Sequence, residues 1–208
     1  GGVARRQDQV AQIMKRGLLV IHGDAGQCFM YGAKGGEVYV MGNAAGRPMI
    51  NAVGRPRVVI NGTALDYLAE SFMAGDPLAD GGFVVLNGLR WDDHAGWQRL
   101  DTPYPGGNLF SLASGGAIYV RDPHQRLGED QLNGGEFARL SDADWGLISG
   151  TGTALGGTSV RGGRGGGGTG RATTIAARYL SREAIPPDLS PLIRRNYPPA
   201  ARMARAEG

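Results

Sequence analysis

The sequence has one cysteine, few aromatic residues and no long apolar run, and each scarcity excludes a class of protein. Cys28 alone allows neither an intramolecular disulfide framework nor a zinc or iron–sulfur site built from cysteines of this chain. No apolar segment approaches the ~18–20 residues that span a bilayer, and no secretory signal pattern is present. We therefore expect a cytoplasmic protein that has no membrane partner.

Basic residues are unevenly distributed along the chain. The formal net charge is +3, but residues 150–208 contain nine arginines against three acidic residues. Residues 1–149 contain 13 basic and 16 acidic residues. The body of the chain is therefore mildly acidic, and a charge-driven nucleic-acid interaction would depend on the last segment alone.

Glycine is abundant, with 37 residues, more than twice its usual share of about 7%. It separates short apolar segments that are rich in β-branched residues. These segments are 17–23, 35–42, 57–62, 81–88 and 115–122, with a weaker copy at 134–140. Gly42, Gly62 and Gly88 follow three of them at intervals of 20 and 26 residues, and the next segment ends about 34 residues later.

Strands repeated at intervals near 20 residues, with glycines at the corners, are typical of a solenoid in which each coil buries its apolar face on the next. A sandwich or barrel is the alternative, because it also has short strands and glycine turns. The residues after Asn61-Gly62 and Asn87-Gly88 do not read as a returning strand, however, so these pairs are poor hairpin signals. The pattern favours a solenoid.

The predicted corners use glycine because a positive φ or a close backbone approach excludes a Cβ atom. The predicted structural corners are Gly32, Gly35, Gly36, Gly42, Gly62, Gly82, Gly88, Gly115 and Gly116. Ahead of the solenoid, Val10, Ile13 and Met14 have helical spacing, which predicts a short lead-in helix within 1–16. The solenoid occupies 17–148, and 149–208 is a glycine-, arginine- and proline-rich tail for which we expect flexibility.

Five motifs follow one another in a fixed order. They are YGAKGGEVYVMG (31–42), GRPMINAVG (46–54), VVINGTALDYLAESFMAG (58–75), GGFVVLNG (81–88) and GGNLFSLASGGAIYVRD (106–122). In this order they resemble the C-terminal GXGXG domain of the large subunit of glutamate synthase. The resemblance covers residues 17–148 and is greatest to the free-standing form of this domain in split, archaeal-type glutamate synthases.

The resemblance implies a right-handed parallel β-helix that catalyses nothing by itself. It also implies partners, namely the glutamine amidotransferase and the FMN-dependent synthase parts that the β-helix holds together. FMN and an iron–sulfur cluster would belong to those partners, with no cofactor, metal or catalytic residue in this chain. The same domain family occurs in formylmethanofuran dehydrogenase and N-methylglutamate synthase, so a scaffold in either complex is an alternative.

Two insertions enlarge the repeat, at 66–80 and 89–106. The first part of 66–80 is compatible with a helical turn, whereas 89–106 reads as a polar loop with two prolines. Loops that project from a rigid scaffold concentrate contacts, and tryptophan and tyrosine are enriched in interface cores. We therefore expect both insertions to form the partner-facing surface, with Trp91, Trp97 and Tyr104 as its candidate contacts.

Other residues with chemical potential have simpler interpretations. Cys28 has no histidine or cationic neighbour in the sequence and fits a buried, inert thiol. Asp92, Asp93 and His94 are capable metal donors, but no second cluster accompanies them, so metal binding is not favoured. The glycine-rich run 32–46 lacks the features of a Walker loop.

The run RGGRGGGGTGR (161–171) resembles an arginine–glycine RNA-binding segment. No Phe or Tyr is interleaved between residues 150 and 177, and aromatic side chains are what stack on unpaired bases. A linker is therefore favoured over an RNA-binding module, which stays as the alternative of a different class.

Overall fold

The described part of the chain is built mainly from short strands. A computed structural model describes residues 8–155 and 192–195, with side chains described for 8–148. The strands are β1 (Leu18–Ile21), β2 (Glu37–Val40), β3 (Arg57–Ile60), β4 (Phe83–Leu86), β5 (Leu89–Asp92), β6 (Gly96–Arg99), β7 (Ala117–Val120), β8 (Gly135–Ala138) and β9 (Leu192–Arg195). The helices are α1 (Asp142–Leu155) and two 3₁₀ helices, Pro77–Ala79 and Glu129–Gln131. None of the helices described is long and apolar enough to cross a bilayer.

Five strands form a parallel ladder in chain order. Leu18 pairs with Glu37, Glu37 with Arg57, Arg57 with Phe83, and Phe83 with Ala117. Every strand of this ladder lies inside one of the apolar segments that the sequence singles out. Because each strand pairs with the equivalent strand of the next coil, the chain forms a parallel β-helix, and that prediction is confirmed.

A second wall of the β-helix has an unusual backbone. In the segments 9–13, 28–32, 47–51, 67–71 and 108–112, alternate residues have a positive φ. Most of these residues are not glycine; Met30 (φ 56°), Met49 (φ 62°) and Phe110 (φ 63°) are examples. Hydrogen bonds between coils hold the conformation, such as Met49 N to Phe29 O at 2.7 Å. The stacked neighbours thereby offset a backbone conformation that is unfavourable for non-glycine residues.

The predicted lead-in helix does not form in the described residues 8–16, and that part of the prediction is wrong. Residues 8–13 instead form the first segment of this second wall, with positive φ at Gln9, Ala11 and Ile13. Their backbone bonds go to the next coil, as in Gln9 N to Gln27 O at 2.7 Å. Of the apolar residues with helical spacing, Val10 and Met14 pack against the core between the two walls, whereas Ile13 is exposed.

Both faces of the parallel sheet are covered, which explains why its central strands are apolar throughout. Alternate residues, such as Val58 and Ile60, point into the core between the two walls. The opposite face, which includes Val59 and Tyr119, packs against Ile148 of α1. Tyr119 Oη donates to the buried Asp144 carboxylate over 3.0 Å, which fixes the helix on the sheet.

Of the nine predicted corner glycines, eight lie at coil corners, and Gly32 lies on the second wall. Four of them, Gly32, Gly36, Gly88 and Gly116, have a positive φ. At Gly116 (φ 86°) a Cβ atom would also overlap the ring of Phe72. The other five have no positive φ, but a Cβ atom on any of them would lie too close to a neighbouring coil or corner.

The C-terminal end of the sheet departs from the repeat. The weaker segment 134–140 does form β8, but β8 joins the sheet through β9, and β9 is antiparallel to both β7 and β8. Helix α1 ends at Leu155, so residues 149–155 of the predicted tail are helical. The rest of the predicted tail, 156–191 and 196–208, lies outside the described residues.

Candidate docking groove

The second predicted insertion, expected as a polar loop, is mainly a β-hairpin. Strands β5 and β6 pair antiparallel, with Trp91 opposite Trp97. Their rings lie 5.2 Å apart in an edge-to-face arrangement, a geometry that favours aromatic pairs. Trp91 is 54% exposed. The hairpin therefore presents a rigid aromatic surface.

The turn of the hairpin uses the acidic residues that the sequence offers as possible metal donors. Asp92 Oδ1 accepts hydrogen bonds from the backbone N–H groups of Ala95 (2.8 Å) and His94 (3.0 Å). These bonds hold the pKa of Asp92 below its usual value. Asp93 Oδ1 accepts from Trp91 Nε1 over 3.0 Å. Both carboxylates thus shape the turn, and within residues 8–148 no three His, Cys, Asp or Glu side chains gather as a metal site.

Backbone hydrogen bonds fix the base of the hairpin to the β-helix. Leu89 N donates to Asn61 O over 2.7 Å, and Leu100 N donates to Gly88 O over 2.9 Å. Gly88 has a φ of 60°, and a Cβ atom there would come within 3.0 Å of Pro103 Cα. The Asn-Gly pair at 87–88 is therefore a coil corner that leads directly into a hairpin, which the sequence pattern did not indicate.

The hairpin and the β-helix enclose a groove of about 660 Å³. It lies at the edge where β1 and β2 end. Its apolar lining comprises Met41, Leu89, Trp91, Trp97 and Leu100, and its polar lining includes His22, Asp24, Asn43 and Arg90. An aromatic and aliphatic surface with a few polar groups at its margin fits an apolar side chain or segment of a partner. We call this site the docking groove.

Of the three predicted contact residues, the structure places Trp91 and Trp97 in the docking groove but not Tyr104. Tyr104 is fully buried. Its hydroxyl donates to Gly107 O over 2.8 Å, and burial raises its pKa well above the usual tyrosine value. The prediction that Tyr104 faces a partner is wrong, because the chain after the hairpin returns to the core and closes the coil.

Part of the first predicted insertion, 66–80, belongs to the regular coil of the β-helix. Residues 67–71 form part of the second wall, with Ala69 N bonded to Pro48 O over 2.9 Å. The extra residues are those around the 3₁₀ helix Pro77–Ala79, at the edge where strands begin. Asp66 lies beside residue 107 through the bond from Gly107 N (2.7 Å). The segment 66–80 is thus divided between regions and does not form one surface with the hairpin.

Cys28 is half-buried, in contrast to the expected buried thiol, and lies on the second wall with a φ of 53°. Its backbone N–H donates to Gly46 O over 3.1 Å. It lies away from the docking groove and belongs to the stacking of the coils.

No protein-family model, curated protein or solved structure matches this chain.

Proposed function

We propose that this chain is a non-catalytic β-helix scaffold of a glutamate-synthase-type complex. In this proposal it holds a glutamine amidotransferase and an FMN-dependent synthase in register, and FMN and the iron–sulfur cluster belong to the partners. The observation that carries the proposal is the fold of the five ordered motifs. Four of the motifs each contain a strand of the parallel ladder, and GRPMINAVG lies on the second wall of the same β-helix.

The docking groove is where we place the contact with the synthase partner. Trp91 is exposed beside Trp97, and Leu89 and Leu100 extend the apolar surface at the base of the hairpin. Interface cores are enriched in such aromatic residues and poor in charge. The backbone anchors of the hairpin keep this surface in place, which lowers the entropy cost of binding.

Reconstitution tests the proposal. The purified chain is mixed with an amidotransferase and an FMN-dependent synthase of a split glutamate synthase, and assembly is measured by size-exclusion chromatography with light scattering. We expect a ternary complex that forms only when this chain is present and that survives 200 mM salt, since an apolar interface is weakly screened. Glutaminase activity, or flavin in equal amount with the chain purified alone, would contradict the proposal.

A further inference from the structure

A second concave site lies at the opposite ends of the strands from the docking groove. It is a cleft of about 570 Å³ between the corners that precede β1, β2 and β3. Five cationic side chains line it, against two carboxylates, Glu37 and Asp80. The cations are Lys15, Arg16, Lys34, Arg55 and Arg57. We call it the basic cleft; it has an excess of positive charge although the body of the chain is acidic overall.

Coil stacking brings these cations together. Lys34 N donates to Met14 O over 2.7 Å, and Arg55 N donates to Lys34 O over 3.2 Å. Residues bonded in this way lie on adjacent coils, about 4.8 Å apart. Like charges in such close register repel and destabilise the fold unless something neutralises them. The arrangement therefore has an electrostatic cost that coil packing does not explain.

The two carboxylates neutralise only part of the cluster. Asp80 bonds Arg55 and, over 3.1 Å, Arg57, and Arg57 also lies 3.9 Å from Glu37. The hydrogen bond from Arg55 lowers the pKa of Asp80, so its carboxylate is charged at neutral pH. Within the described residues, Lys15, Arg16 and Lys34 have no carboxylate within 4.0 Å. All three are exposed.

We propose that the basic cleft binds an oligophosphate, a chain of two or three linked phosphoryl groups. Lys15, Arg16 and Lys34 supply the unpaired charge, and Arg55 and Arg57 lie at the margin of the site, shared with Asp80. Arginine and lysine are the side chains that bind phosphate most strongly. Among the described residues, no aromatic side chain lines the cleft, so recognition is of the phosphoryl groups. This proposal does not depend on the scaffold function.

Calorimetric titration of the full chain with sodium tripolyphosphate in low-salt buffer tests the proposal. We expect saturable binding, at least tenfold weaker with orthophosphate because one phosphoryl group reaches fewer cations. Arg16→Gln and Lys34→Gln should each weaken tripolyphosphate binding roughly five- to tenfold. Arg139→Gln is the matched control, since it removes an exposed arginine outside the cleft, and it should leave binding unchanged.

The variant Asp80→Asn should change the affinity for tripolyphosphate in the opposite direction. It removes the carboxylate that competes for Arg55 and Arg57, so tripolyphosphate binding should tighten severalfold. Thermal melting of each variant verifies that it is folded. If Asp80→Asn and Lys34→Gln both leave the affinity unchanged, the proposal is overturned.

Two further measurements test whether the C-terminal arginines or a nucleoside account for the binding. The chain carries arginines beyond residue 155, so the double variant Arg161→Gln/Arg164→Gln should bind tripolyphosphate as the parent does. Loss of binding in this variant would overturn the proposal.

ATP should bind within about threefold of tripolyphosphate, because the phosphoryl groups provide the contacts. A tenfold preference for ATP would show recognition of the nucleoside and contradict the site as proposed.

Discussion

The side-chain amide of Asn87 donates to Asn61 Oδ1 over 3.0 Å, which links two successive coils at the corner where β3 and β4 end. Both side chains are almost fully buried. Arg121, at the equivalent position of the next coil, donates to Asn87 O over 3.4 Å. The corner beneath the hairpin is thus held by polar bonds between coils.

Removal of either asparagine should leave a buried polar group without its partner. We expect Asn61→Ala and Asn87→Ala each to lower the free energy of unfolding by about 1–3 kcal/mol. The double variant should lose less than the sum, because the two residues share one bond. Urea unfolding measures these values, with the exposed Gln12→Ala as control. Additive losses would show that the bond contributes nothing.

Valine at Gly116 should destabilise the fold strongly. The φ of 86° and the overlap of a Cβ atom with the Phe72 ring act together, and we expect a loss of at least about 2 kcal/mol. Gly36→Val should cost less, because its Cβ atom meets the flexible end of Met14. Gly23→Ala, which has open space around it, is the control. If Gly116→Val and Gly36→Val both melt within a degree of the parent, the corner assignment is wrong.

The hairpin should be dispensable for folding but not for assembly. Replacement of 89–100 by a short Gly-Ser turn should preserve the melting temperature and abolish co-purification with the synthase partner. The double variant Trp91→Ala/Trp97→Ala should weaken the affinity for that partner by tenfold or more. Replacement of the whole 89–106 segment should also destabilise the fold, because Pro103 and Tyr104 are buried. We expect the partner to remain bound when the arginines of the segment 156–208 that flank β9 are replaced by glutamine, which leaves β9 itself in place. If partner binding instead requires the arginines of 156–208, the interface lies in that segment and not at the hairpin.

Glu37 should make stability depend on pH. Burial raises its pKa above 4.5, and the nearby Arg57 opposes that shift. A raised carboxyl pKa means that the folded state binds the proton more tightly than the unfolded state. The contribution of Glu37 is therefore favourable below about pH 4.5 and is lost as pH rises through the folded pKa.

The variant Glu37→Gln should thus gain stability relative to the parent as pH rises from 4.5, measured by urea unfolding across the range. The exposed Glu129→Gln serves as the control for the loss of one carboxylate. A constant difference between Glu37→Gln and the parent at every pH would contradict this assignment.

The coil repeat could be predicted from the sequence. Apolar segments and the glycines after them placed β1, β2, β3, β4 and β7, and their spacing matched the register of the ladder. This was possible because strand pattern and corner geometry are local requirements: a strand needs apolar side chains where it is buried, and a tight corner excludes a Cβ atom.

The second wall, the hairpin and the burial of Tyr104 could not be predicted from the sequence. The positive φ at Met49 and Phe110 has no signal in the residue type, because hydrogen bonds from neighbouring coils impose it. The edge-to-face contact of Trp91 with Trp97 depends on a strand pairing that a polar, proline-containing sequence did not indicate. The basic cleft likewise exists because stacking brings Lys15, Lys34 and Arg55 together from separate coils. Local pattern specifies an element, whereas contacts between coils determine which side chains meet.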